Sequence, residues 1–197
     1  PILEHFHQRW LVDHAELYRT GLINSHSLTS SDFISREERL ILFAFIAQAG
    51  IKKVIDDIFP GRTMFLNTQL FFDPMNSTQP NYWHRDIQYN GHTVIEQRKR
   101  ITEENVVHFR IPLKPELGIE LIPGSHKNWD TDEEYEVRMS LNGKKPSDSL
   151  QNGKRIELDR RDLLVFSANM IHRGIYGKDR FTLDILYCDA APAFLKF

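Results

Sequence analysis

The chain has 197 residues and a mass of 23.2 kDa, with 41% hydrophobic and 26% charged residues, a mean hydropathy of −0.44 and a net charge of −2 at a pI near 6.6. That length fits one domain of the usual ~100–200 residues. No run approaches the ~18 apolar residues of a membrane-spanning helix, and the near-neutral charge gives no general attraction to nucleic acid or an anionic membrane. The only cysteine, Cys188, forbids an intrachain disulfide, and no charged-then-apolar leader opens the chain, so a cytoplasmic setting is expected; the start at Pro1 rather than Met points to residues missing or processed before it.

In chain order, Phe6, Trp10, Leu11, Ala15, Leu17 and Tyr18 recur at helical spacing and predict an amphipathic helix over residues 3–20, stopped by Gly21. His7 and His14 on it read as surface histidines, because no third ligand type lies nearby. Ser35 and Glu38 form a capping box for a second helix running to about Ile58, with Leu40, Phe43, Ala44, Ala47, Ile51, Val54, Ile55 and Ile58 as its core stripe and Pro60-Gly61 as its end. After this helical flank of residues 1–60 the pattern turns to short runs of period two. Residues 63–72 alternate, with Asn67, Gln69 and Phe71 on one face and Leu66, Thr68, Leu70 and Phe72 on the other. A turn-rich loop over 73–80 follows. Residues 87–105 read as a polar, solvated loop carrying Arg98-Lys99-Arg100, and 128–154 as a long loop, functional or disordered. Strands are expected at 106–113, 118–122, 155–158, 163–166 and 181–188, which together suggest a β-sandwich or barrel backed by helices.

The chemistry gathers at Trp83-His84-Arg85-Asp86. Alternating strand side chains put residues i and i+2 on one face, so His84 and Asp86 can converge while Arg85 faces elsewhere. A second imidazole is available at His172, just before another strand-like run. Two His and one carboxylate, with three positions left open, make the facial triad that suits non-haem Fe(II) oxygen chemistry. His-x-Asp by itself is a weak signal in a chain with nine histidines.

WHRD at 83–86, IELIPGSHK at 119–127, DLLVFSANMIHRG at 162–174 and then Arg180 occur in an order that resembles the phytanoyl-CoA dioxygenase family of Fe(II)/2-oxoglutarate-dependent oxygenases, over residues 63–188. The resemblance implies one cupin-like domain with a double-stranded β-helix (jelly-roll) core. It implies His84, Asp86 and His172 as iron ligands and Arg180 as the partner of the distal carboxylate of 2-oxoglutarate, a role that a bidentate guanidinium fits. Thr182, two residues on, is expected to share that carboxylate, with Asn67 and Gln69 as weaker cosubstrate contacts. Ser125 and His126 read as turn-holding residues. His172 to Arg180 is eight residues, shorter than usual in the family, which makes Lys178 and Arg173 the next clamp candidates.

The expected activity is hydroxylation of a small-molecule substrate with 2-oxoglutarate and O2, releasing succinate and CO2. The presence of Asp86 disfavours a halogenase. Two alternatives stay open, a non-catalytic jelly-roll module that binds a metal or ligand, and a cupin-like metal isomerase or hydrolase; neither needs a buried carboxylate clamp. Substrate choice is expected in the three polar loops, since loops on a rigid scaffold carry specificity.

Overall fold

In the period-two half of the chain each strand must bury one side against something, and two different partners are available to it. The structure, a computed structural model, describes residues 1–21, 24–28, 34–59, 61–76 and 78–190. Strands β1 (Ser25–Ser27), β2 (Thr63–Phe72), β8 (Phe181–Asp189), β3 (Val106–Pro112) and β6 (Leu164–Ser167) form one antiparallel sheet in that spatial order. Strands β5 (Lys154–Leu158), β4 (Glu116–Leu121) and β7 (His172–Gly174) form a second. The outer face of the five-stranded sheet carries Leu70, Phe72, Val107, Phe109, Leu183, Ile185 and Tyr187, which pack with buried residues of the helical flank in one apolar cluster. Each such fully buried side chain contributes roughly 1.5–3 kcal/mol.

The flank differs from its sequence pattern first in how its helices divide. The first expected helix divides into α1 (Ile2–Asp13) and α2 (Ala15–Arg19), and the second into α3 (Arg36–Ile46) and α4 (Ala49–Ile58). The Ser35–Glu38 capping box is present. The α3 end tightens, with the Gln48 N–H bonding the Phe45 carbonyl, and Gln48 itself is extended at ψ 145°. The break lets Leu42 and Ile46 of α3 and Ile51 and Ile55 of α4 all reach the sheet, so the expected stripe members Leu40 and Phe43 are exposed instead. Pro60 of the expected stop lies outside the described residues. Nor are the α1 histidines simple surface groups: the His7 ring packs 4.5 Å from that of Phe72 and its Nδ1 lies 3.2 Å from His26 Nε2, while His14 stacks on Trp10 at 4.2 Å.

Two segments expected as loops contain helices. Thr93 and Glu96 cap α5 (Val94–Glu103), and Thr131 and Glu134 cap α6 (Asp132–Met139) by the same reciprocal box. The basic run on α5 is a solvated face, where Lys99 and Arg100 pair with Glu103 and Glu104 and Arg98 lies 5.1 Å over the Trp129 ring. Residues 128–154 are held down by a second apolar cluster in which Val137 and Leu150 meet Trp83, Ile122 and Ile171. In β4 a bulge at Gly118, φ +87°, brings the backbone against the Ile156 carbonyl, and any Cβ there would overlap it. Among the described residues no helix is long and apolar enough to cross a membrane.

Candidate metal centre

The Trp83–Asp86 segment is fastened at several points along its backbone. His84 and His172 exchange both backbone hydrogen bonds at 2.9 Å, so the two imidazoles spring from directly paired residues. The Asp86 N–H donates to the Ala168 carbonyl at 3.1 Å. His84 makes only an isolated bridge and Asp86 opens a 3-10 turn, so the expected strand end does not form. Arg85, extended at φ −118° and ψ 141°, is fully buried: it pairs with Asp130 at 2.6 Å and donates to the carbonyls of Ser125, Asn128 and Asn169. It thereby ties the motif to the turns that precede α6 and β7. Ser125 completes the fastening, its hydroxyl donating to the Ile122 carbonyl and accepting the Ile171 N–H at 2.8 Å, one residue before His172.

The donor atoms of His84, Asp86 and His172 all lie within 4.8 Å of one another. Each Nδ1 faces a backbone carbonyl, Tyr82 at 3.1 Å for His84 and Met170 at 2.8 Å for His172. A carbonyl only accepts, so each Nδ1 carries the hydrogen and each Nε2 presents its lone pair. Those Nε2 atoms stand 3.6 and 3.4 Å from Asp86 Oδ1. Burial holds both imidazoles neutral, lowering His84 and pushing His172 down to about 3. Burial also works to raise the Asp86 carboxyl, but His108, His172 and His84 overrule it and hold that group well below the usual carboxylate range. Two neutral imidazoles and one carboxylate are a donor set that fits a divalent iron ion with open positions.

The triad opens into a cavity of about 340 Å³ that Arg180 also lines. Arg180 is 3% exposed, its Nη2 donates to the Phe72 carbonyl at 2.9 Å, and its Nε, 4.0 Å from Asp73 Oδ1, makes no hydrogen bond among the described residues. The guanidinium carbon lies 5.0 Å from the Tyr176 ring centre and 5.7 Å from that of Phe71. Burial and the neighbouring Arg110 lower its pKa to about 10, still leaving it charged at neutral pH. The loop before it is pinned by Asp73, whose carboxylate accepts the N–H groups of Gly177 and Arg180 at 2.9 and 3.0 Å. Gly174 leaves room for the guanidinium, since a Cβ there would run into Nη1. Of the other two clamp candidates, Arg173 pairs with Glu120 and lies 4.4 Å over the Trp83 ring, and Lys178 is exposed.

The remaining expected contacts separate. Gln69 lines the cavity with Phe71. Asn67 does not: its side-chain oxygen accepts from the Ser27 hydroxyl at 2.8 Å, beside a register shift in β2 that displaces it. Thr182 is likewise turned from the expected role, because its hydroxyl is committed to Glu116 at 2.5 Å. Four residues that sequence reasoning passed over, His108, Asp184, Arg110 and Glu116, form a network beside the triad. His108 bridges Asp86 Oδ2 at 2.8 Å and Asp184 Oδ2 at 3.0 Å. Arg110 holds Glu116 with two hydrogen bonds of 3.0 Å and Asp184 with one of 3.2 Å. Burial opposes charge on His108, yet the flanking carboxylates raise it to about 9. Polar residues alternating with Val107, Phe109 and Ile111, and with Leu183 and Ile185, were the available signal.

No protein-family model matches the chain, and no curated protein matches it in sequence. Among solved structures it is similar to the crystal structure of AviO1 from Streptomyces viridochromogenes Tue57, with a TM-score of 0.60 and 17% identity over 96% of this chain and 83% of that one. It is similar to EctD from S. alaskensis with 2-oxoglutarate and 5-hydroxyectoine at a TM-score of 0.58, 12% identity, and 92% and 64% coverage. A third likeness is to the non-heme monooxygenase ThoJ in its nickel complex, at 0.55, 15%, 94% and 63%. The fold is a double-stranded β-helix. At these identities the likeness is one of fold, and the chain spans just under two thirds of the length of EctD and of ThoJ.

Proposed function

We propose that the protein is an Fe(II)/2-oxoglutarate-dependent oxygenase that hydroxylates a small-molecule substrate. The observation that carries this reading is the pairing, in one cavity, of a convergent His84–Asp86–His172 donor set with a buried guanidinium, that of Arg180. The solved structures of similar fold, one with 2-oxoglutarate and another a non-heme monooxygenase, support it. The likeness of the sequence motifs to the phytanoyl-CoA dioxygenase family agrees, and Asp86 argues against halide transfer.

In this reading His84, Asp86 and His172 hold the iron, with the Nδ1 hydrogen bonds fixing the ring orientations. Bound iron supplies the redox chemistry, coupling oxidative decarboxylation of 2-oxoglutarate by O2 to substrate hydroxylation, with succinate and CO2 as products. Arg180 binds the distal carboxylate, and Phe71 and Tyr176 shield that pair from water, which strengthens it. Gln69, which lines the cavity from β2, is a cosubstrate contact in this reading. Tyr82 and Tyr89, whose rings lie 5.1 and 5.7 Å from that of His84, present partly exposed aromatic surface beside the metal site where substrate would rest. An isomerase or a structural metal site has no use for a desolvated carboxylate clamp, whose burial costs free energy.

Anaerobic addition of 2-oxoglutarate to the Fe(II) protein is expected to produce a visible metal-to-ligand charge-transfer band. Arg180→Ala should weaken 2-oxoglutarate binding by about 2–4 kcal/mol, roughly thirtyfold to a thousandfold, with Fe(II) binding retained. His84→Ala and His172→Ala should each abolish Fe(II) binding. Absence of the band in the unaltered protein overturns the oxygenase reading.

A further inference from the structure

We propose that His108 is a positioning residue that makes Asp86 a single-oxygen metal ligand, and that Asp184 holds His108 in place for this purpose. The inference rests on the reading of His84, Asp86 and His172 as a metal site and extends it to residues outside the donor set.

Asp86 opens a short 3-10 turn, Asp86–Tyr89, and a free carboxylate can present either oxygen or both to a cation. Here the two oxygens are distinguished. Oδ1 faces the Nε2 atoms of His84 and His172 at 3.6 and 3.4 Å, whereas Oδ2 accepts from His108 Nε2 at 2.8 Å. An oxygen so occupied is withdrawn from bidentate chelation, which keeps a further position at the metal open for exogenous ligands.

His108 is placed to do this and little else. It is 4% exposed, its ring stacks on Phe166 at 4.8 Å with an interplanar angle of 8°, and its other nitrogen is spent on Asp184 at 3.0 Å. With both nitrogens engaged and the ring plane fixed, it is no fourth metal ligand. Asp184 is in turn held through Oδ1 by Arg110, which is clasped by Glu116. The carboxylate orientation is therefore set from β8 and β3 of the five-stranded sheet, while His172 comes from β7 of the other. Outer partners of this kind typically change metal affinity ten- to a hundredfold when removed.

Anaerobic titration of the full chain with Co(II), followed by its d–d absorption, tests this. The unaltered protein should bind one Co(II) per chain; if it binds none, the metal reading itself fails and the inference falls with it. Given that binding, His108→Phe, which keeps the stack on Phe166 and loses both hydrogen bonds, should bind Co(II) about ten- to a hundredfold more weakly and with altered d–d bands. His108→Gln, which retains an N–H donor, should recover part of the loss. Asp184→Asn should weaken binding in the same direction. His108→Phe with unaltered affinity and bands overturns the proposal, as does a lowered unfolding midpoint with unaltered Co(II) affinity in the folded protein. Should His108→Phe fail to fold, His108→Gln and Asp184→Asn decide: weaker binding in both supports the positioning role, and affinities within twofold of the unaltered protein overturn it.

Discussion

Along β8 the outward side chains Phe181, Leu183, Ile185 and Tyr187 meet the helices, whereas inward-facing Thr182 and Asp184 meet a charged network that includes Arg110, Glu116 and His108. The outer face gains free energy from non-directional burial. The inner face places ionised groups out of water, where attraction offsets desolvation only if the geometry satisfies each group. Arg110 does satisfy its carboxylates, but a comparable apolar packing would serve stability as well or better. The inner face is thus better explained by the cavity it shapes than by the stability it adds, and the two faces should respond differently to substitution.

The largest expected effect is on the inner face. Arg110→Ala leaves Glu116 and Asp184 buried with their main partner gone, and should lower unfolding free energy by about 3–5 kcal/mol in urea titrations. Arg110→Lys should recover little, since an ammonium cannot reproduce the fork that spans two carboxylates. On the outer face Leu183→Ala should cost about 2–5 kcal/mol, but Leu183→Met less than about 1.5 kcal/mol, because volume is what that face requires. Equal tolerance of the two conservative changes, Arg110→Lys and Leu183→Met, would erase the contrast.

A smaller effect distinguishes a polar intrusion into the outer layer. His26, 7% exposed among Phe6, Trp10 and Phe72, is pushed down to about 3 by burial, with His7 and His14 adding repulsion. A histidine whose folded pKa lies below its unfolded value of about 6.5 contributes stability that is complete above that value and is lost as pH falls toward 3. Stability should drop by roughly 2 kcal/mol from this group by pH 5, and His26→Phe should flatten that part of the pH profile measured by thermal or urea unfolding. An unchanged slope between pH 6.5 and 5 in His26→Phe would assign the acid sensitivity elsewhere.

Local pattern by itself determined the strand periodicity after residue 62, the shared face of His84 and Asp86, the Ser35–Glu38 helix start and the alternation that sends Gln69 and Phe71 inward. Two further capping boxes, Thr93–Glu96 and Thr131–Glu134, were equally legible and mark helices in segments that low apolar content had suggested were loops. What the tertiary structure alone decided concerns partners. The break at Ala47–Gln48 lets buried residues of both α3 and α4 join the cluster on one sheet, which no helical stripe records. Asn67 and Thr182 do not line the cavity because the β2 register shift and the buried Glu116 claim them. His108 and Asp184, 76 residues apart in sequence, meet through the antiparallel register of β3 with β8. Side-chain alternation fixes which face a residue occupies, but which charge waits across that face depends on strand order and register, and these are set by contacts between segments far apart in the chain.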